Sequence, residues 1–271
     1  MNRERIDIIK LGGSVITDKT SYKKLKKNTL QDLIRIISIW DKKCIVVHGA
    51  GSFGHILAEK YSIVSGYQNK EQLAGLAQIR YDLNDLKQKI LEVFNEKGIN
   101  VLDFQTSALA YQKAGSADKE IFIAPVLKAL EIGLLPLLSG DILFTDDESF
   151  TIYSGDSLID LLAQNFDVSR VIFLTDVNGL MVTDSTSNIV KLLENASFEE
   201  FNRIEPADYS SEGKADVTGG MLGKIDTIKA ILNNVDEIII VNGNYPERIQ
   251  KILDRDRTIC TVITGRKSTK R

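Results

Sequence analysis

Residues 46–60, VVHGAGSFGHILAEK, hold both histidines of this 271-residue chain and three of its glycines. An apolar run ends at His48, a glycine turn follows, and ILAEK continues with helical character. Glycines directly after a strand let a backbone or an anion come close, and the unpaired N–H groups at a helix start attract negative charge. The stretch therefore reads either as a phosphate cradle with an imidazole at its edge or as a tight strand-to-helix turn. His55, near the helix start, is able to donate to a phosphoryl oxygen or simply to pack; His48, at the strand end, reads as structural.

Along the rest of the chain, short β-prone runs recur at 5–10, 43–48, 100–104, 134–138, 171–176, 236–241 and 259–264. Most are apolar at consecutive positions, which suits strands covered on both faces. The expected fold class is α/β, an open, mainly parallel sheet sandwiched between helices. Leu73, Leu76, Ile79, Leu83, Leu86, Ile90 and Val93 recur at spacings of three and four, predicting a helix from about Lys70 to Lys97 that Gly98 ends. The segment 138–153 reads as a hairpin around an acidic turn, and 202–220 as a long irregular loop. With no internal repeat and no proline-rich linker, a single domain over 1–271 is expected, its halves 1–165 and 166–271 packing as lobes.

Composition narrows the function. Thirty-four basic and 37 acidic residues give a net charge of −3 with both signs interspersed, which argues against nucleic acid or a membrane surface as partner. Cys44 and Cys260 each sit in an apolar run and read as buried, reduced thiols. MNRERIDIIK enters a strand with no apolar signal region, so a cytoplasmic location is expected.

Four more stretches carry chemistry. In IIKLGGSVITDK (8–19), Gly12, Gly13 and Ser14 follow a strand that ends near Lys10, and Lys19 comes nine residues later. The spacing matches neither a P-loop nor a dinucleotide fingerprint, and alone it suits a phosphate site or an ordinary turn. In YSGDSLIDLLAQ (153–164), Asp156 follows Gly155 at a helix start, either as a cap or to orient lysines. VIFLTDVNGLM (171–181) is a buried strand ending at Asp176, with Val177, Gly179 and Leu180 in the turn beyond, where open α/β sheets bind ligands. In DVTGGMLGKIDTIKA (216–230), Gly219 and Gly220 lead into a helix with Lys224 near its start. A cation there opposes the helix dipole and calls for an anionic partner.

The ordered set KLGGSVITDK, VVHGAGSFGH, SGD, TDVNGL and DVTGGMLGK resembles the amino-acid kinase superfamily and, within it, the isopentenyl phosphate kinases, over roughly residues 5–245. The resemblance implies that Lys10 and Lys224 contact the transferring phosphoryl group and that Asp156 orients both. It implies that Gly12, Gly13, Ser14 and Lys19 hold ATP phosphates, with Asp176, Val177, Gly179, Leu180, Gly219 and Gly220 around the nucleotide. Gly49, Ala50, Gly51, Ser52, Gly54 and Gly155 would hold the acceptor's own phosphate, with His55 hydrogen-bonding it. On this reading 1–165 is the phosphoacceptor lobe and 166–271 the nucleotide lobe. ATP and Mg2+ are the implied cofactors, magnesium riding on the nucleotide without an all-protein metal site, and a homodimer is implied. Fosfomycin kinases share the glycine turn that ends in histidine, whereas uridylate kinases of this fold do not usually carry that histidine. A non-catalytic nucleotide-binding module would be expected to have lost one of Lys10, His55, Asp156 or Lys224, and all four are present.

Overall fold

The computed structural model describes residues 5–114, 119–147, 149–183, 190–204 and 220–269. In chain order the strands are β1 (Ile6–Leu11), β2 (Cys44–His48), β3 (Val101–Asp103), β4 (Ala110–Gln112), β5 (Lys119–Ile121), β6 (Leu135–Ser139), β7 (Asp141–Thr145), β8 (Ser149–Tyr153), β9 (Val168–Thr175), β10 (Met181–Thr183), β11 (Val190–Leu192), β12 (Asn195–Ala196), β13 (Glu237–Asn242) and β14 (Cys260–Thr264). Eight of them form one sheet in the order β12-β14-β13-β9-β1-β2-β6-β3. Every neighbouring pair in it is parallel except β13 with β14. The anticipated mainly parallel sheet is therefore present, and all seven β-prone runs lie on strands of it.

Period-two alternation sends successive β1 side chains to opposite faces. Ile6 and Ile8 join a core with Leu158, Leu162, Ile225 and Ile228 from the helices Gly155–Asn165 and Gly220–Ile231. Ile9 and Leu11 face the other way, onto Leu30, Ile34, Leu86 and Ile90 from the helices Lys27–Ile37 and Glu71–Glu96. Burying each such side chain contributes roughly 1.5–3 kcal/mol. The same alternation places Lys10 on the face of Ile6 and Ile8, under the two helices that start at the glycine turns.

A smaller cluster of Ala58, Ile63, Ile79, Leu83, Ile142 and Phe150 joins the helix His55–Lys60 to the long helix and to the β7–β8 hairpin. That hairpin is antiparallel, with Asp141 opposite Tyr153. Cys44 and Cys260 are buried and unbridged. No helix among the described residues is long and apolar enough to cross a membrane.

The long helix spans Glu71–Glu96, and Gly98, at φ +70°, ends it by donating to Asn95 O at 2.9 Å. One member of the expected apolar stripe departs from it. Leu73 is 51% exposed, while neighbouring Gln72 is buried. Gln72 accepts from the amides of Gln68 and Asn69 and donates to Ser62 O and Gly66 O, so its polar side chain satisfies an inward loop that a leucine would leave unpaired. Of the expected loop at 202–220, residues 205–219 lie outside the described residues.

Candidate active site

The chain leaves β1 toward β2 on one side of the sheet and β9 toward β13 on the other, opening a crevice beyond the carboxyl ends of β1 and β9. Lys10, at the penultimate position of β1, is buried there and hydrogen-bonds Asp156 Oδ1. Lys224 approaches from the Gly220–Ile231 helix, its Nζ 3.2 Å from Asp156 Oδ2. One carboxylate thus holds two ammonium groups, one on each oxygen. The anionic partner that the position of Lys224 calls for is Asp156.

The alternative role of Asp156 as a helix cap is not the one observed. Ser154 caps the Gly155–Asn165 helix, its Oγ accepting from Ser157 N at 3.0 Å, which leaves Asp156 in the first turn to face the lysines. Gly155 sits beneath them: a Cβ there would lie 3.5 Å from Lys10 Cε and 3.5 Å from His48 O.

Electrostatics follow from this packing. Burial lowers the Lys10 pKa to about 8, an effect that Asp156 opposes and Lys224 reinforces. Burial acts to raise the Asp156 carboxyl, but the two lysines outweigh it and hold the group below the usual carboxylate value. His48 is buried at the end of β2 with Nδ1 3.2 Å from Gly49 O, and burial lowers its pKa to about 4. At neutral pH it is an uncharged, packed imidazole, as its place at the strand end suggests.

The two glycine turns meet backbone to backbone. A Cβ on Gly13 would stand 2.6 Å from Gly51 N, and one on Gly49 would stand 2.7 Å from Gly13 N. Gly12 donates to Leu174 O at 2.9 Å, and a Cβ there would lie 2.4 Å from that oxygen. Gly51 has φ +51°, in the left-handed region that glycine enters without penalty. Ala50 precedes a 3₁₀ turn at Gly51–Phe53, and Gly54 leads into the helix that His55 begins, with His55 exposed. Ser14 lies in the short helix Gly13–Ile16, its carbonyl accepting from Lys26 Nζ at 2.8 Å.

The remaining candidates lie in the turns beyond β1 and β9 and at the start of the Gly220–Ile231 helix. Lys19 is exposed in a turn closed by the Thr17–Leu25 bridge. Asp176 and Val177 are half-buried just past β9, with the Asp176 carbonyl accepting from Asn242 Nδ2 at 3.4 Å. Gly179 has φ +149°, and Leu180 is buried in the core, its amide donating to Thr261 Oγ1 at 2.8 Å. Gly220 begins its helix, while Gly219 lies outside the described residues.

Thr17 was not singled out by the motifs. Its buried hydroxyl donates to Gly13 O at 2.7 Å and accepts from Ser52 N at 3.0 Å, tying the two turns together. The readable signal was a hydroxyl four residues after Gly13; its second partner, 35 positions away, has no local trace.

A doubly wound sheet with paired lysines on one carboxylate, beside two interlocked glycine turns, defines a class of protein built to handle phosphate groups. The model of the amino acid kinase family matches residues 5–242, and the chain belongs to that family. The isopentenyl phosphate kinase of Methanothermobacter thermautotrophicus is 31% identical over 268 residues, 96% of this chain and 99% of that protein. The isopentenyl phosphate kinase of Thermoplasma acidophilum is 30% identical over 259 residues, 94% of this chain and 99% of that protein. A crystal structure of a T. acidophilum isopentenyl phosphate kinase product complex matches with a TM-score of 0.77 at 28% identity, covering 95% of this chain and 99% of that one.

Proposed function

We propose that this protein is an ATP-dependent kinase that phosphorylates isopentenyl phosphate to isopentenyl diphosphate. The observation that carries the reading is Asp156 bridging Lys10 and Lys224 beside the interlocked glycine turns, in a chain aligned almost end to end with isopentenyl phosphate kinases. An oxygen of the acceptor phosphate attacks the γ-phosphorus of ATP, the bond to the β–γ bridging oxygen breaks, and ADP leaves.

Phosphoryl transfer is governed by positioning and charge stabilisation. Lys10 and Lys224 supply positive charge to the transferring group, and Asp156 keeps both ammonium groups oriented before substrate arrives. With its pKa at about 8, Lys10 is mostly protonated at neutral pH. Gly12, Gly13, Ser14 and Lys19 hold the nucleotide phosphates, and the turn from Gly49 to Gly54, with Gly155, holds the acceptor phosphate. His55, at the start of its helix, donates to that phosphate. Asp176, Val177, Gly179, Leu180, Gly219 and Gly220 surround the nucleotide. The lobe 1–165 then carries the acceptor together with these contacts to the nucleotide phosphates, and 166–271 the rest of the nucleotide, in a cytoplasmic homodimer.

Magnesium, when bound, neutralises developing charge on the phosphates. Among the described residues no three His, Cys, Asp or Glu side chains cluster to hold a metal, and Asp156 already engages two lysines. With Asp156 engaged by both lysines, the ion would be carried on the nucleotide's own oxygens.

The test is product analysis. Phosphorus NMR of the protein with ATP, magnesium and isopentenyl phosphate is expected to show a new diphosphate formed in step with ADP. ADP appearing without that diphosphate would mark futile hydrolysis and overturn the reading.

A further inference from the structure

One buried carboxylate outside the lysine pair connects three parts of the site. Asp82, on the long helix, is fully buried, and its oxygens accept from Tyr22 O–H, from Lys23 Nζ at 3.1 Å and from Gln78 Nε2 at 2.9 Å. Tyr22 and Lys23 lie in the turn between Thr17 and Leu25, the turn that carries Lys19. Lys23 also pairs with Asp85 Oδ2 at 2.7 Å, one helical turn along. Its ammonium lies 5.9 Å from the Phe53 ring, and its amide donates to Ser52 O at 3.5 Å, both in the second glycine turn. Lys23 holds φ at +57°, a conformation that a non-glycine residue keeps only where its surroundings fix it. Beside Asp82, Leu83 packs against the second turn: a Cβ on Gly54 would lie 3.6 Å from Leu83 Cδ2.

We infer that Asp82 is a positioning residue that fixes the Lys19-bearing turn against the acceptor cradle. The inference rests on the proposed role of Lys19 at the nucleotide phosphates. A buried carboxylate accepting an ammonium and a phenol on one turn makes that turn follow the long helix rather than move freely, because withdrawing the donors would strand a desolvated charge. The entropy of ordering the turn is then met during folding and not at each binding event. Lys23 supplies the coupling charge and Tyr22 the second tether, while Gln78 on the same helix holds the carboxylate's rotamer.

The test is an ATP titration by calorimetry without acceptor, on Asp82→Asn in the wild-type background and in Lys19→Gln. Asparagine keeps the size and the acceptor oxygen but removes one of the two charges that hold Lys23, the buried one, leaving Asp85 at the helix surface. The expected result is at least fivefold weaker ATP binding in the wild-type background and less than a twofold further change where Lys19 is already absent. Steady-state kinetics should show the KM for ATP rising by a similar factor, with the KM for isopentenyl phosphate changing less than twofold. An equal loss in both backgrounds, unchanged ATP binding, or a rise confined to the acceptor KM would overturn the inference. Should Asp82→Asn fail to fold, Tyr22→Phe keeps the carboxylate and removes one tether, with the same dependence on Lys19 expected at smaller size. Titration with ATP alone reads this coupling whichever acceptor the wild-type protein turns over, so failure on isopentenyl phosphate would count against the substrate and not against Asp82.

Discussion

Lys224 places its ammonium 3.2 Å from Asp156 Oδ2 across a gap of 68 positions in sequence, while the other carboxylate oxygen binds Lys10. Lys10 is buried and Asp156 nearly so, whereas the Lys224 side chain remains 25% exposed. On the proposed mechanism Lys224, the more accessible of the two lysines, is the one a phosphoryl group would reach, with Asp156 still compensated by Lys10.

Replacing Lys224 with alanine removes that charge without opening the core. Loss of one transition-state charge partner typically costs on the order of 10²–10³ in kcat. We expect a loss of that size with thermal stability close to wild type, measured by ADP release and by heat denaturation. A wild-type rate would remove Lys224 from the mechanism.

Lys10 sets the basic limb. The proton bound to free-enzyme Lys10 is lost at about pH 8, so kcat/KM is expected to fall as pH rises through that value. The effect on stability has the opposite sign. Because the unfolded chain holds this proton up to about 10.5, the folded state gains from Lys10 as pH climbs from about 8 to 10.5. Activity lost near pH 8 without a fall in melting temperature would fit; a limb displaced to about 10 would not.

His55 begins its helix beside the second glycine turn. His55→Ala is expected to lower kcat/KM for the phosphate acceptor at least tenfold, about 1.4 kcal/mol of transition-state stabilisation. The KM for ATP should stay within about twofold, since the proposed role of His55 is toward the acceptor. Unchanged kinetics would leave His55 as a solvated side chain with no part in the transfer.

Gly13 tests the interlocked turns. Its alanine variant puts a methyl 2.6 Å from Gly51 N, a clash with backbone rather than with a flexible side chain. We expect a stability loss of roughly 1–3 kcal/mol by denaturant titration, with activity falling further than stability. A fully active, fully stable Gly13→Ala would show that the turns yield more easily than their contact implies.

The sheet was legible because its central strands are apolar at consecutive positions, and β1, β2 and most of β13 are indeed buried on both faces. The short strands β4, β5, β10, β11 and β12 were not, because two or three residues give no period to detect; β3, equally short, stood out only within the longer run 100–104. Asp156 shows the same division within the site. Its place at a helix start was plain, but the choice between cap and lysine partner depended on Ser154 occupying the cap, which local sequence permits and only the fold decides. Asp82 left no signal, since an aspartate on a helix ordinarily faces solvent; it is buried because Tyr22 and Lys23 come from 60 and 59 positions away. Leu76, Ile79 and Leu83 were readable as apolar, and the structure places them in the small cluster beside the second glycine turn.

The most direct test of the account compares kcat/KM for isopentenyl phosphate, dimethylallyl phosphate, fosfomycin and UMP in coupled ADP release with ATP and magnesium. Isopentenyl phosphate is expected to lead fosfomycin and UMP by a hundredfold or more, about 2.7 kcal/mol of discrimination. A lead by fosfomycin or UMP would contradict it, leaving a phosphate-handling site whose acceptor carries a different tail.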